Sequence, residues 1–372
     1  MEFEHGGNVW AVNGQKELAP RKVIDFSASL NPLGPPPGVF RLLREKIRYL
    51  QYYPEPYART LCSAWAETLG VSADRVIAGN GASELISLFF RAAGPRRVLL
   101  PAPTYSDYAR AALAAGSRVE FFFSPDKFAY PLESLARELT RSRCDALVFC
   151  NPNNPTGVFW EDVTLLLQET AAKGIPFLLD ASFWPFTGTR WSAWRKKNFS
   201  FLQEETGHFQ FFLVFSLTKI YALPGLRLGI GVGPPALIKK LKAANDPWSV
   251  NVFAQLAGLA CLREQNYLKE TVALVEKERE YLLRGLGKLP GLVLFPSRAN
   301  FLLGDCRRTG RTGSEIAAAL AKKGVLIRDA RNFAGLDEYY FRLAVRKRSE
   351  NRHLLRALKQ VLSGHDYFEG EN

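Results

Sequence analysis

The chain has 372 residues, enough for two domains and a sizeable core. Apolar residues make up 47% and charged residues 23%, which excludes a disordered chain, while 29 Gly, 22 Pro and five Cys exclude collagen-like and disulfide-scaffold classes. The formal charge of +13 leaves three kinds of partner open: nucleic acid, an anionic surface, or small anionic molecules.

Residues 1–38 are rich in Gly, Asn and Pro, with turn clusters at Asn31-Pro32-Leu33-Gly34 and Pro35-Pro36-Pro37-Gly38, and read as an irregular arm. From Val39 onward, helices alternate with short apolar strands. Helices are predicted at Leu61 to Leu69, Ser83 to Ala93, Ser106 to Ala115 and Glu161 to Lys173. Strands are predicted at Arg75 to Ala78, Arg97 to Leu100, Arg118 to Phe123, Ala146 to Cys150, Phe177 to Asp180 and Phe211 to Phe215. This alternation predicts an α/β fold with a mostly parallel central sheet flanked by helices. A helical stretch from Asn251 to Leu286, broken near Gln265-Asn266, leads into a smaller α+β unit. Its strands lie near Leu292 to Phe295, Phe301 to Leu303, Val325 to Ile327 and Tyr340 to Val345, and its helices near Ser314 to Lys323 and Glu350 to Leu362. The expected division is an arm at 1–38, a large domain at 39–250 and a small domain at 251–372.

The cysteines, at 62, 144, 150, 261 and 306, form no C-x-x-C pair, and the four histidines show no ligand spacing. No metal site is expected. Acidic residues at the start and the lack of a long apolar run argue against a signal peptide or a membrane span. A cytoplasmic protein with reduced thiols is the expectation.

Four features could carry chemistry. Gly79-Asn80-Gly81-Ala82-Ser83-Glu84 lies between a strand and a helix, where backbone N–H groups and the helix N-terminus suit a phosphate; a plain capped turn would look the same. Asn151-Pro152-Asn153-Asn154-Pro155-Thr156-Gly157 follows a core strand, the end at which open α/β sheets bind ligands. Asp180 closes another buried strand, so its carboxylate either caps the next turn or needs a cationic partner such as a protonated ring nitrogen. Ser216-Leu217-Thr218-Lys219 follows the strand Phe211 to Phe215 and precedes Arg227. A lysine there can be desolvated and nucleophilic, and Ser216, Thr218 and Arg227 are suitable phosphate donors.

In order and spacing, these features resemble the fold-type I pyridoxal-phosphate enzymes, the aspartate-aminotransferase superfamily, along nearly the whole chain. The resemblance implies pyridoxal 5'-phosphate as cofactor and Lys219 as the lysine that carries it. It implies that Asp180 keeps the ring nitrogen protonated, Asn154 bonds the ring hydroxyl and Tyr105 stacks on the ring. Gly81, Ala82, Ser83, Ser216, Thr218 and Arg227 would bind the cofactor phosphate. Tyr53 would reach the phosphate of a neighbouring subunit, which implies a homodimer with shared active sites.

Two families within the superfamily share this framework, the threonine-phosphate decarboxylases of cobalamin biosynthesis and the histidinol-phosphate aminotransferases. His5-Gly6-Gly7-Asn8 and the run Asp25-Phe26-Ser27-Ala28-Ser29-Leu30-Asn31-Pro32-Leu33-Gly34 resemble the decarboxylase opening. Phe183, where aminotransferases tend to have Tyr, points the same way. Ser29 and Ala181 depart from the pattern, where Asn and an acidic residue are more usual. The resemblance implies that His5, Asn31, Asn154, Arg328 and Arg342 bind a small phosphorylated amino acid. A histidinol-phosphate or related aminotransferase is the alternative within enzymes, and a non-catalytic protein of the same fold the alternative outside them. No aromatic-and-basic nucleic-acid motif is present. Residues 322–359 hold eleven Lys or Arg against four Asp or Glu, so part of the charge excess surrounds the expected anion site.

Overall fold

The computed structural model describes residues 5–10, 23–124, 128–199, 210–264 and 266–363. The expectations placed on residues 1–4, on His208 and His365, and on Gln265 lie outside the described residues.

The large sheet is built from β2 (Val76–Gly79), β3 (Arg97–Ala102), β4 (Arg118–Phe123), β5 (Ala146–Cys150), β6 (Phe177–Asp180), β7 (Phe211–Ser216) and β8 (Gly229–Val232), in the order β2-β8-β7-β6-β5-β3-β4. All pairs are parallel except those made by β8, which runs antiparallel to both β2 and β7. Every residue of β5, β6 and β7 is buried, because these central strands are covered on both faces. The two faces separate by alternation. Leu147, Phe149, Phe177, Leu179, Phe211, Leu213 and Phe215 join one apolar cluster, whereas Val148, Leu178, Phe212 and Val214 join the other. This burial fixes the register that puts Asp180 opposite Cys150 on one side and Val214 on the other.

Helices cover the sheet. Those that matter for the site are α3 (Ala82–Ala93), α4 (Ser106–Ala114) and the single turn α8 (Leu217–Ile220). Each begins just beyond the C-terminal end of a strand.

A smaller four-stranded antiparallel sheet follows, with β9 (Val293–Leu294), β10 (Phe301–Asp305), β12 (Arg328–Asp329) and β13 (Tyr340–Ala344) in the order β12-β13-β10-β9. Two sequence expectations change here. The single strand expected at Val325 to Ile327 is two: β11 (Val325–Leu326) belongs to another sheet, and the chain passes through Ile327 into β12. The arm expected to be irregular contains β1 (Ile24–Asp25), which pairs parallel with β11, and helix α1 (Pro37–Glu45) begins before residue 39.

Beyond β1 the chain acts as a strap. The Phe26 N–H donates to Leu326 O at 2.7 Å, and Ala344 N–H donates to Phe26 O at 2.8 Å. The Asp25 carboxylate accepts from Ser27 N at 2.7 Å and Ser27 Oγ at 2.6 Å, which folds residues 25–28 into a tight turn. Further on, Asn31 N–H donates to Lys219 O at 3.0 Å. Residues 25–31 thus run from the small sheet to the loop after β7. Among the described residues, no helix is long and apolar enough to cross a membrane.

Candidate active site

A cavity of about 600 Å³ lies beyond the C-terminal ends of β5, β6 and β7. Residues 25 and 27–30 line one side of it, and Arg328 and Arg342 of the small sheet line another. Of the residues singled out from sequence, His5, Ala82, Ser83, Tyr105, Asn154, Asp180, Ser216, Thr218, Lys219, Arg227, Arg328 and Arg342 line this one cavity.

Lys219 sits in α8, directly after the core strand β7. Removal from bulk water lowers its amine to about 8, helped by the charges of Arg342 and Arg227 and opposed by those of Asp180 and Asp25. The shift favours the uncharged, nucleophilic amine relative to a lysine in bulk water.

Asp180 is 5% exposed. Its Oδ1 accepts from Ser182 N at 2.8 Å and its Oδ2 from Tyr108 Oη at 2.6 Å. Burial still raises its pKa above the ordinary carboxylate value, against these bonds and the charge of Lys219. The carboxylate is therefore in want of a cation, and a protonated pyridine nitrogen has the right charge for it.

At the other end, Ser216 Oγ and Thr218 Oγ1 lie 2.7 Å apart beside the N-terminus of α3. Gly81 precedes α3 with φ +82°, and a Cβ there would come within 2.5 Å of Arg227 Nη2. Glycine thus lets the guanidinium lie against the helix start, where hydroxyls, free N–H groups and a cation converge as a phosphate requires. Gly81 itself is not part of the cavity lining. Carboxylate, lysine and phosphate cradle together fit pyridoxal phosphate.

Arg342 and Arg328 face each other across β13 and β12. Arg342 donates through Nη1 to Asn154 Oδ1 and through Nη2 to Ser27 O at 2.9 Å, and lies over the Phe301 ring at 5.2 Å. Burial lowers its pKa to about 9, with repulsion from Arg328 next in size. Arg328 Nη2 donates to Asn332 Oδ1 at 2.7 Å. Two buried arginines held side by side against their own repulsion suit an anion arriving in the cavity.

One sequence expectation is not met in this geometry. Asn31 does not line the cavity; its Nδ2 donates to Ile220 O and to Thr271 Oγ1, both at 2.7 Å, and its Oδ1 accepts from Leu33 N at 3.0 Å. Its side chain holds the strap to α8 rather than a ligand. Tyr53, expected in the site of a neighbouring subunit, is 82% exposed and packs against Trp248 at 5.1 Å, outside this chain's own cavity. Two residues escaped the sequence reading. Tyr108 is bonded to Asp180, and Asp107 is bonded to His5 and Tyr105. Within the sequence they look like ordinary residues of a first helical turn, and nothing marks partners 72 and 102 positions away.

A mostly parallel seven-stranded sheet, with a buried lysine and carboxylate at its C-terminal edge and a phosphate cradle beside them, defines a fold-type I pyridoxal-phosphate enzyme. The profile of aminotransferase class I and II matches residues 21–358, and the chain belongs to that pyridoxal-phosphate-dependent family. It is 32% identical over 372 residues to a threonine-phosphate decarboxylase of Salmonella typhimurium, covering 97% of each. It is also 32% identical over 348 residues to a histidinol-phosphate aminotransferase of Methanothermobacter thermautotrophicus, covering 92% of this chain and 89% of that one. The crystal structure of L-threonine-O-3-phosphate decarboxylase from Porphyromonas gingivalis matches with a TM-score of 0.78 and 26% identity, over 91% of this chain and 99% of that one.

Proposed function

We infer that the protein decarboxylates L-threonine O-3-phosphate to (R)-1-amino-2-propanol O-2-phosphate, the linker of the cobalamin nucleotide loop. What supports this reading over transamination is His5. The His5-Gly6-Gly7-Asn8 element that resembles the decarboxylase opening lies at the cavity, with the His5 ring 5.6 Å from that of Tyr105. Phe183, buried with its ring edge-on to Phe301 at 4.8 Å, adds to it.

Pyridoxal phosphate, when bound, supplies an electron sink for the bond that breaks at the substrate Cα. The protein's residues decide the rest. Arg328 and Arg342, with His5 and Asn154, hold the phosphate and carboxylate ends of the substrate, and that placement selects the Cα–carboxyl bond over the Cα–H bond. Asp180 keeps its positive partner charged, and Tyr108 and Ser182 hold Asp180 in place. Carbon dioxide leaves, and Lys219 returns a proton to Cα.

The experiment supplies L-threonine O-3-phosphate to the holoenzyme and measures carbon dioxide and 1-amino-2-propanol O-phosphate, with both expected in equal amounts. A requirement for 2-oxoglutarate, with glutamate formed from histidinol phosphate, would overturn the reading in favour of the aminotransferase.

The same reading divides the chain into the arm, large and small domains at 1–38, 39–250 and 251–372, and places the protein in the cytoplasm, in keeping with five free, buried cysteines. It also makes the enzyme a homodimer. Tyr53 at 82%, Leu50 at 67%, Tyr52 at 64% and Phe40 and Ile47 at 54% exposure form an apolar stretch of the kind that partners cover, from which Tyr53 would enter the neighbouring site. Sedimentation of the holoenzyme is expected to give twice the chain mass; a monomer at micromolar concentration would remove Tyr53 from the cofactor set.

A further inference from the structure

Two neighbours in the chain, Tyr105 and Arg110, and the distant His5 converge on one carboxylate that the mechanism above does not use. Asp107 Oδ1 accepts from Arg110 Nε at 2.6 Å and lies 3.1 Å from His5 Nε2, while Oδ2 accepts from Tyr105 Oη at 2.8 Å. Asp107 is 4% exposed. Burial alone would raise its pKa, but the bonds from His5, Arg110 and Tyr105 outweigh burial and hold the group ionised well below the usual carboxylate range. Its oxygens do not cap α4, although it stands in the first turn of that helix. They serve side chains instead.

Those side chains lead to both sides of the cavity. Tyr105 stands edge-on to Tyr108, ring centres 5.4 Å apart at 86°, and Tyr108 in turn donates to Asp180. His5 belongs to the short segment 5–10, whose Gly7 N–H donates to Ser27 Oγ at 2.7 Å on the strap. The ionised carboxylate serves this pair with one oxygen each: Oδ2 accepts from the Tyr105 hydroxyl and Oδ1 faces His5 Nε2. An amide in its place has one acceptor, so one of the two contacts must reverse its direction or be lost.

We propose that Asp107 is a positioning residue that joins the N-terminal segment to the cofactor face of the site, by holding the His5 imidazole and the Tyr105 hydroxyl on its two oxygens. Asp107 need not touch substrate to do this. Its effect on substrate passes through His5, and that part rests on the functional reading above.

The test is a double-mutant cycle on the holoenzyme, read in two ways. The first is amide hydrogen exchange at residues 6–9 in the wild type, Asp107→Asn, His5→Ala and the double variant. Each single change is expected to speed exchange about tenfold, as the loss of a charge-assisted bond implies, and the double variant to be no faster than the faster single. Unchanged exchange in Asp107→Asn, or single effects that multiply in the double variant, would overturn the proposal. Fast exchange throughout β5 to β7 would mean that Asp107→Asn has unfolded. Asp107→Glu, which keeps both oxygens, then decides: protection at residues 6–9 within about threefold of wild type supports the link, and its loss in a folded protein overturns it.

The second reading is steady-state kinetics with L-threonine O-3-phosphate. Asp107→Asn is expected to raise KM about tenfold while kcat stays within about twofold and the bound cofactor's absorbance is unchanged. A fall in kcat with KM unchanged would overturn the route through His5. If the wild type does not turn over this substrate, the functional reading fails, and the exchange measurement still decides the role of Asp107.

Discussion

Lys219→Ala is expected to lower turnover by about 10⁴-fold or more and to abolish the visible absorbance of the lysine-bound cofactor. The size follows from two tasks on one amine. In the proposed function it carries the cofactor, and it is the acid that protonates Cα. The surroundings of Lys219 are built for both: burial and two arginines lower its pKa to about 8, so the amine can act as a nucleophile and regain a proton at neutral pH. Among the described residues, no other lysine lines the cavity to replace it. The fold should survive, because the contact that holds this loop is made by the backbone: Asn31 N–H donates to Lys219 O, which alanine retains. An absorbance spectrum and a single-turnover assay check the two halves separately. A variant that keeps the wild-type spectrum with cofactor bound would show that another group carries it.

Asp180→Asn is expected to lower kcat/KM by about 10²–10⁴-fold, because removing one partner of a buried ion pair costs roughly 3–5 kcal/mol. Asparagine has the shape of aspartate and still accepts from Ser182 N, so the β6 terminus should hold. What it lacks is the charge that keeps a ring nitrogen protonated in a site where burial already raises the carboxylate's pKa. Cofactor occupancy and kcat/KM, measured on one preparation, check this. Activity within about threefold of wild type at full occupancy would remove Asp180 from the ion pair.

The parts of this site that could be read from sequence are those placed by strand ends. The short apolar run Phe177-Leu178-Leu179, one of several alternating with helices, reads as a buried strand, so the Asp180 that closes it stands beside whatever closes the next strand, and Lys219 follows by the same logic. β8 escaped because Gly229-Ile230-Gly231-Val232 carries a glycine at every second position, which weakens any strand signal. The split at Ile327 escaped because both halves look alike, and only their partners, β1 and β13, differ. The failure at Asn31 is of another kind. Its residue type suits a ligand, but its amide holds Ile220 and Thr271, and side-chain direction is settled by packing that no local pattern shows. The bonds from Tyr108 to Asp180 and from His5 to Asp107 were invisible for the same reason.

The strap at residues 25–31 has a thermodynamic consequence. One end is gripped by Arg342 through Ser27 O, and the other holds Lys219 through Asn31 N–H. A ligand that tightens Arg342 and a change at the lysine therefore pull on the same short length of backbone. Any free energy carried along it is reciprocal: to the extent that loading the lysine favours an anion at Arg342, the anion favours the loaded lysine by the same factor.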